Sequence, residues 1–210
     1  MEQLRLTRPY PSVRREGRRS YGGSQMWFES RNIREGGCGL IACADVLLYL
    51  RGTEEIDAPA YLDYVRSIQR HFPLIPRRGI DGVRMALGMN LCLRRSGVPL
   101  RARWCASGAR FWERIAAMLR ADRPAVISVG PNLPHFWRSE RLPFYRLAGD
   151  RYVLDSRTKS HFVTVTGMDE RYLEISTWGR RLYIDRQEYE NYARRHSVWL
   201  VNNLMLLESR

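Results

Sequence analysis

The chain has 210 residues, 44% of them hydrophobic, which is enough to bury a full core within one globular domain of ordinary size. Its formal net charge of +13 favours anionic partners, yet Lys159 is the only lysine among the 35 basic residues, and the arginines run along the whole chain. No zinc-ligand spacing, Gly-rich RNA-binding motif or basic heptad segment accompanies that charge, which argues against specific nucleic-acid recognition.

Residues 1–23 are rich in Arg, Pro, Ser and Gly without apolar periodicity and read as a basic arm, flexible or ordered only by docking; residues 24–210 read as the domain. After the short apolar Met26-Trp27-Phe28, the stretch REGGCGLIAC, Arg34 to Cys43, sets Gly36, Gly37 and Gly39 around Cys38 and runs on as an apolar helix to Leu50. Apolar residues at helical spacing predict further helices over Ala58–Phe72, Gly82–Arg95 and Phe111–Leu119, the last with Ser107 as N-cap. The period then changes. Strands are predicted over Pro124–Val129, Tyr152–Leu154, His161–Gly167, Tyr172–Thr177, Arg181–Ile184 and Val198–Leu207, with a short helix at Gln187–Arg194. A helical first half followed by an antiparallel sheet is an α+β arrangement.

The four cysteines show neither a C-x-x-C pair nor a histidine at zinc-finger spacing, so no metal and no cofactor is expected. Cys43 and Cys92 lie in apolar helical patterns and read as core, and Cys105 as a loop residue. The N-terminus carries no secretory-type apolar segment, and no apolar run approaches the roughly 20 residues of a membrane span, so the expectation is a cytoplasmic protein with free thiols.

Cys38 differs from the other three because it stands at a loop-to-helix junction. The first N–H groups of a helix are unpaired and carry the positive end of its dipole, which stabilises a thiolate. Gly37 and Gly39 beside it would let a substrate backbone approach closely. A nucleophilic thiol needs a base, and the candidates are His71, His135, His161 and His196. Three read as surface or loop histidines. His161 opens the strand HFVTVTG, where its backbone is fixed and its side chain can be aimed.

These residues resemble the papain-like cysteine peptidases, including the bacteriocin-leader peptidases of the C39-like branch. GCGLIAC at Cys38, SHFVTVTG at His161 and ISTWG ending at Gly179 fall in that family's order, and Asn32, six residues before the cysteine, corresponds to its oxyanion-hole amide. The resemblance implies a papain-like domain whose central helix carries the cysteine. It also implies a thiolate–imidazolium pair of Cys38 and His161 acting on a peptide or protein substrate, with Asn32 stabilising the oxyanion and Trp178 shielding the histidine. The third member departs from the family. Ser176 stands where Asn or Asp is usual, and Glu174, on the same strand face, is an alternative orienter. Two functions stay open: an amide hydrolase or thioester-forming acyltransferase, and a catalytically weak binding module that recognises an acidic partner, with the basic arm as one means. Arginine-bearing loops at Ile75-Pro76-Arg77-Arg78 and at Trp137-Arg138 beside Phe136 read as solvated surface.

Overall fold

The helix that begins at Cys38 is apolar on every side, and a helix of that kind must be covered on every side. In the computed structural model, which describes residues 3–76, 79–105, 110–131, 135, 137–198 and 204–210, it is. Helix α2 (Cys38–Leu50) buries every residue from Gly39 to Tyr49, Asp45 included. It is preceded by a 3-10 turn at Gln25–Trp27 and by the short α1 (Arg31–Gly36). α3 (Ala58–Gln69) and α4 (Gly82–Arg95) pack against it. α5 (Phe111–Arg120) and α6 (Arg186–His196) complete the described helices, and α5 lies on the sheet.

The arm is of the docked kind. β1 (Leu4–Arg5) pairs antiparallel with the far end of β9 (His161–Met168). β2 (Ser12–Arg15) lies between β3 (Arg18–Arg19) and β4 (Glu55–Asp57) in a small second sheet. Tyr10 and Val13 are buried in the body of the molecule.

The remaining strands are β5 (Leu100–Cys105), β6 (Ala125–Val129), β7 (Leu142–Ala148), β8 (Arg151–Thr158), β10 (Tyr172–Thr177), β11 (Arg180–Asp185) and β12 (Leu204–Ser209). They form, with β9, the order β5-β12-β6-β9-β10-β11-β7-β8. β10 is buried on both faces and β9 nearly so, with α2 packed against both strands and α5 also against β9. The β5 edge is closed by a side chain: the Asn90 amide of α4 donates to Ala102 O at 2.7 Å and accepts from Ala102 N at 2.9 Å. One side chain thus satisfies both backbone groups that a further strand would seek. The class is α+β, as the change of period along the sequence indicates.

Several expectations change. Cys105 ends strand β5 and is buried, with Sγ 3.5 Å from Leu204 O, instead of lying in a loop. His196 is 1% exposed at the end of α6, with Nε2 2.7 Å from Glu140 Oε2, so it is no surface residue. The short strand at Tyr152–Leu154 is the middle of an eight-residue strand in the β7–β8 hairpin. Ser107, Arg77, Arg78, Phe136 and the 199–203 part of the last expected strand lie outside the described residues.

Candidate active site

Cys38 is the first residue of α2, and its sulfur meets β9: the backbone N–H groups of Phe162, Gly39 and Cys38 itself approach it. The close packing explains the glycines. A Cβ at Gly39 would lie 2.8 Å from Ile80 Cγ2 and 3.2 Å from Phe162 Cδ2, and one at Gly37 would lie 2.8 Å from Ile33 Cγ2. Both glycines therefore admit the chain's own packing, α1 on one side and β9 on the other.

His161 begins β9 and is buried. Its Nε2 lies 2.7 Å from Thr177 Oγ1, and its ring stacks on Trp178 with centroids 4.7 Å apart. The Trp178-Gly179 pair forms the two-residue turn between β10 and β11, with φ of 52° and 72°. Positive φ at both turn positions is what a tight hairpin of the I′ class demands, and glycine supplies it cheaply at the second. That turn carries the indole over the imidazole.

Neither expected orienter reaches the histidine. Side chains alternate along a strand, so Ser176 points away from the face that Thr177 occupies. Ser176 Oγ donates to Tyr21 O at 2.9 Å. Glu174 accepts from Tyr21 Oη at 3.0 Å and from Thr166 Oγ1 at 3.2 Å, with Arg5 3.6 Å and Arg181 3.7 Å away. Both residues hold the arm, and Thr177 takes the position beside the imidazole.

Asn32 is also displaced. It lies on the exposed face of α1, a helix inserted between the 3-10 turn and α2, and does not line the cavity at Cys38. Gln25 does. Its Nε2 donates to Arg34 O at 2.8 Å.

The cavity is lined by Gly23, Gln25, Cys38, Asp45, His161 and Trp178, among others, and has a volume of about 10 Å³, room for about one water. Its electrostatics follow from burial. The Cys38 thiol is pushed up by desolvation, against which the three backbone N–H groups pull it down. Burial takes the His161 imidazole down to about 4. Burial therefore acts against charge on both the thiol and the imidazole, and the ring's hydrogen bond goes to Thr177 and not to Sγ. Among the described residues no cluster of metal-ligating side chains occurs, and no helix is long and apolar enough to cross a membrane.

Sequence reasoning missed Gln25, Thr177 and Asp45. Thr177 stands next to the residue chosen, one step that reverses the face of the strand. Asp45 had a clear signal, a single carboxylate inside the apolar run LIACADVLLYL, which is costly to bury without partners.

No family model and no curated protein sequence matches this chain. Among solved structures, the chain is similar over 100% of both lengths to a Bacillus anthracis protein assigned as a C39-like peptidase, with a TM-score of 0.54 and 12% sequence identity. The likeness is one of fold: this chain has the architecture of a C39-like peptidase.

Proposed function

We propose that the chain is a cysteine-dependent peptide or amide hydrolase in which Cys38 is the nucleophile and His161 the base. The observation that carries the reading is one cavity lined by the first residue of a buried helix and by a strand histidine whose Nε2 is tied to Thr177 under a stacked indole. The Thr177 hydroxyl engages Nε2, and in the tautomer in which Nε2–H donates to Oγ1 the Nδ1 lone pair is left to take a proton.

With burial acting against charge on both groups, proton transfer accompanies attack. The Sγ–H proton passes to His161 Nδ1 as sulfur bonds to the carbonyl carbon, and the carbonyl π electrons move onto oxygen. The Cys38 N–H at the helix start and the Gln25 amide supply the oxyanion donors; an amide carries two N–H groups, of which Arg34 O takes one. Collapse breaks the C–N bond, and the imidazolium gives its proton to the leaving amine. Water, deprotonated by His161, then cleaves the thioester and restores the thiol. An acyl acceptor other than water would make the same intermediate serve transfer.

A second reading, a binding module with weak turnover, is favoured by the uncharged orienter and by the small size of the cavity. Trapping separates the two. Acid quenching of the protein mixed with a peptide library, followed by mass spectrometry of the Cys38 peptide, should show an acyl adduct. Adduct-free Cys38 together with uncleaved peptides would select the binding module.

A further inference from the structure

We propose that Asp45 is a positioning residue, a proton-controlled latch that ties the Gly22–Gly23 turn of the arm to α2 and so fixes the cavity wall formed by Gln25 and Trp178. The proposal rests on the reading of that cavity as the reactive one.

Asp45 lies two turns below Cys38 on the same face of α2 and is 2% exposed. Its Oδ2 accepts the Gly23 N–H at 2.9 Å, and its Oδ1 accepts the Tyr61 hydroxyl of α3 at 2.8 Å. The turn is built for this seat. Gly22 has φ of 72°, a Cβ there would overlap Asp45 Oδ2 and Ser176 Oγ, and one at Gly23 would overlap the Tyr61 hydroxyl.

From the same turn, hydrogen bonds run to the site. Gly179 N–H donates to Gly23 O at 2.8 Å, Tyr21 N–H donates to Gly179 O at 2.9 Å, and Gln25 follows two residues later. Gly179 adjoins Trp178, and Thr177 precedes it. The carboxyl therefore controls, through one backbone amide, the segments that carry the oxyanion amide, the indole and the histidine's partner.

The groups facing Asp45 are Tyr10 of the arm, Tyr61 of α3, Ser176 of β10 and Cys43 on its own helix; Glu174 with Arg5 and Arg181 lies beyond Tyr21. Among the described residues no cation touches the carboxyl, and burial raises it to about 7, against the lowering by the Gly23 and Tyr61 hydrogen bonds. Opening the turn to solvent would return it to an ordinary carboxylate. Opening therefore releases a proton below about pH 7 and becomes easier as pH rises to that point. The cavity at Cys38 is narrow, with room for about one water, and this is the wall with a titratable fastening.

The test is hydrogen exchange at the Gly23 amide between pH 5 and 9, with rates divided by the intrinsic rate. Wild type should lose protection with rising pH, by up to about tenfold per unit, and level off near pH 7. Asp45→Asn should show no such slope, and its Cys38 should react with iodoacetamide at pH 8 at least about fivefold more slowly than in wild type. Should Asp45→Asn not fold, Tyr61→Phe serves: losing a donor to the carboxylate moves the levelling-off to higher pH. Flat protection in wild type, an unchanged slope in Asp45→Asn or an unmoved plateau in Tyr61→Phe would overturn the latch. The hydrolase reading fails separately, if peptide cleavage does not depend on Cys38.

Discussion

His161 Nε2 and Thr177 Oγ1 lie 2.7 Å apart across neighbouring strands, and this bond determines which ring nitrogen is left for the thiol. A hydroxyl orients the ring without supplying charge, so nothing offsets the burial that holds the imidazole neutral. Thr177→Val should lower turnover by about 10–100-fold, whereas Thr177→Asn, with a longer reach, should retain or raise it. Ser176→Ala should act on the arm's docking and leave the pH profile of turnover unchanged. Steady-state kinetics on a peptide found to be cleaved checks all three.

The oxyanion donor is assigned to the cavity-lining amide. Gln25→Ala should lower turnover by about 10²–10³, and Asn32→Ala, on the exposed face of α1, should leave it within about twofold. A loss of that size in Asn32→Ala, with Gln25→Ala near wild type, would return the role to Asn32.

Stability should depend on pH with two opposed contributions. His161, depressed to about 4 from an ordinary 6.5, contributes stability that is fully present above pH 6.5 and lost as pH falls toward 4. Asp45, raised to about 7 from 3.8, contributes stability that is present below pH 3.8 and lost as pH rises to about 7. The two offset each other between about pH 4 and 6.5. Denaturant titrations of His161→Gln should therefore show stability declining with pH over that window, and those of Asp45→Asn should show it rising. Parallel curves for the two variants would rule out this assignment.

Deleting residues 1–23 removes the buried Tyr10 and Val13, the β1–β9 pairing and the Gly23 bond to Asp45. Each large apolar side chain is worth roughly 1.5–3 kcal/mol when fully buried, so Tm should fall by about 10 °C or more in calorimetry. A Tm within a degree or two of the full chain would mean that the arm only rests on the surface.

The elements legible in the sequence are those with strong periodicity. Gly82–Arg95 and Tyr172–Thr177 fall at their observed bounds because an amphipathic stripe and a short run of aromatic and β-branched residues between two turns are both plain signals. β5 was passed over although LRARWC alternates, since Ala102 is too short to register as an inward residue. The sequence leaves the arm open between flexible and docked because its anchors are spread: Tyr10, Val13 and two glycines form no periodic pattern, and their partners lie on α2, α3 and β10. Order and local chemistry pointed to Cys38, His161 and Trp178, which the fold brings to one cavity. The orienter and the oxyanion amide depended on which way a side chain faces and on an inserted helix, which spacing along the chain does not record.

The most direct test of the Cys38–His161 assignment is peptide-library cleavage by wild type, Cys38→Ala and His161→Ala, read as new termini by mass spectrometry between pH 6 and 9. The account predicts new termini with wild type and their loss, by at least about 10²-fold, in both variants. New termini that persist unchanged in His161→Ala, or none with wild type at any pH, would contradict it.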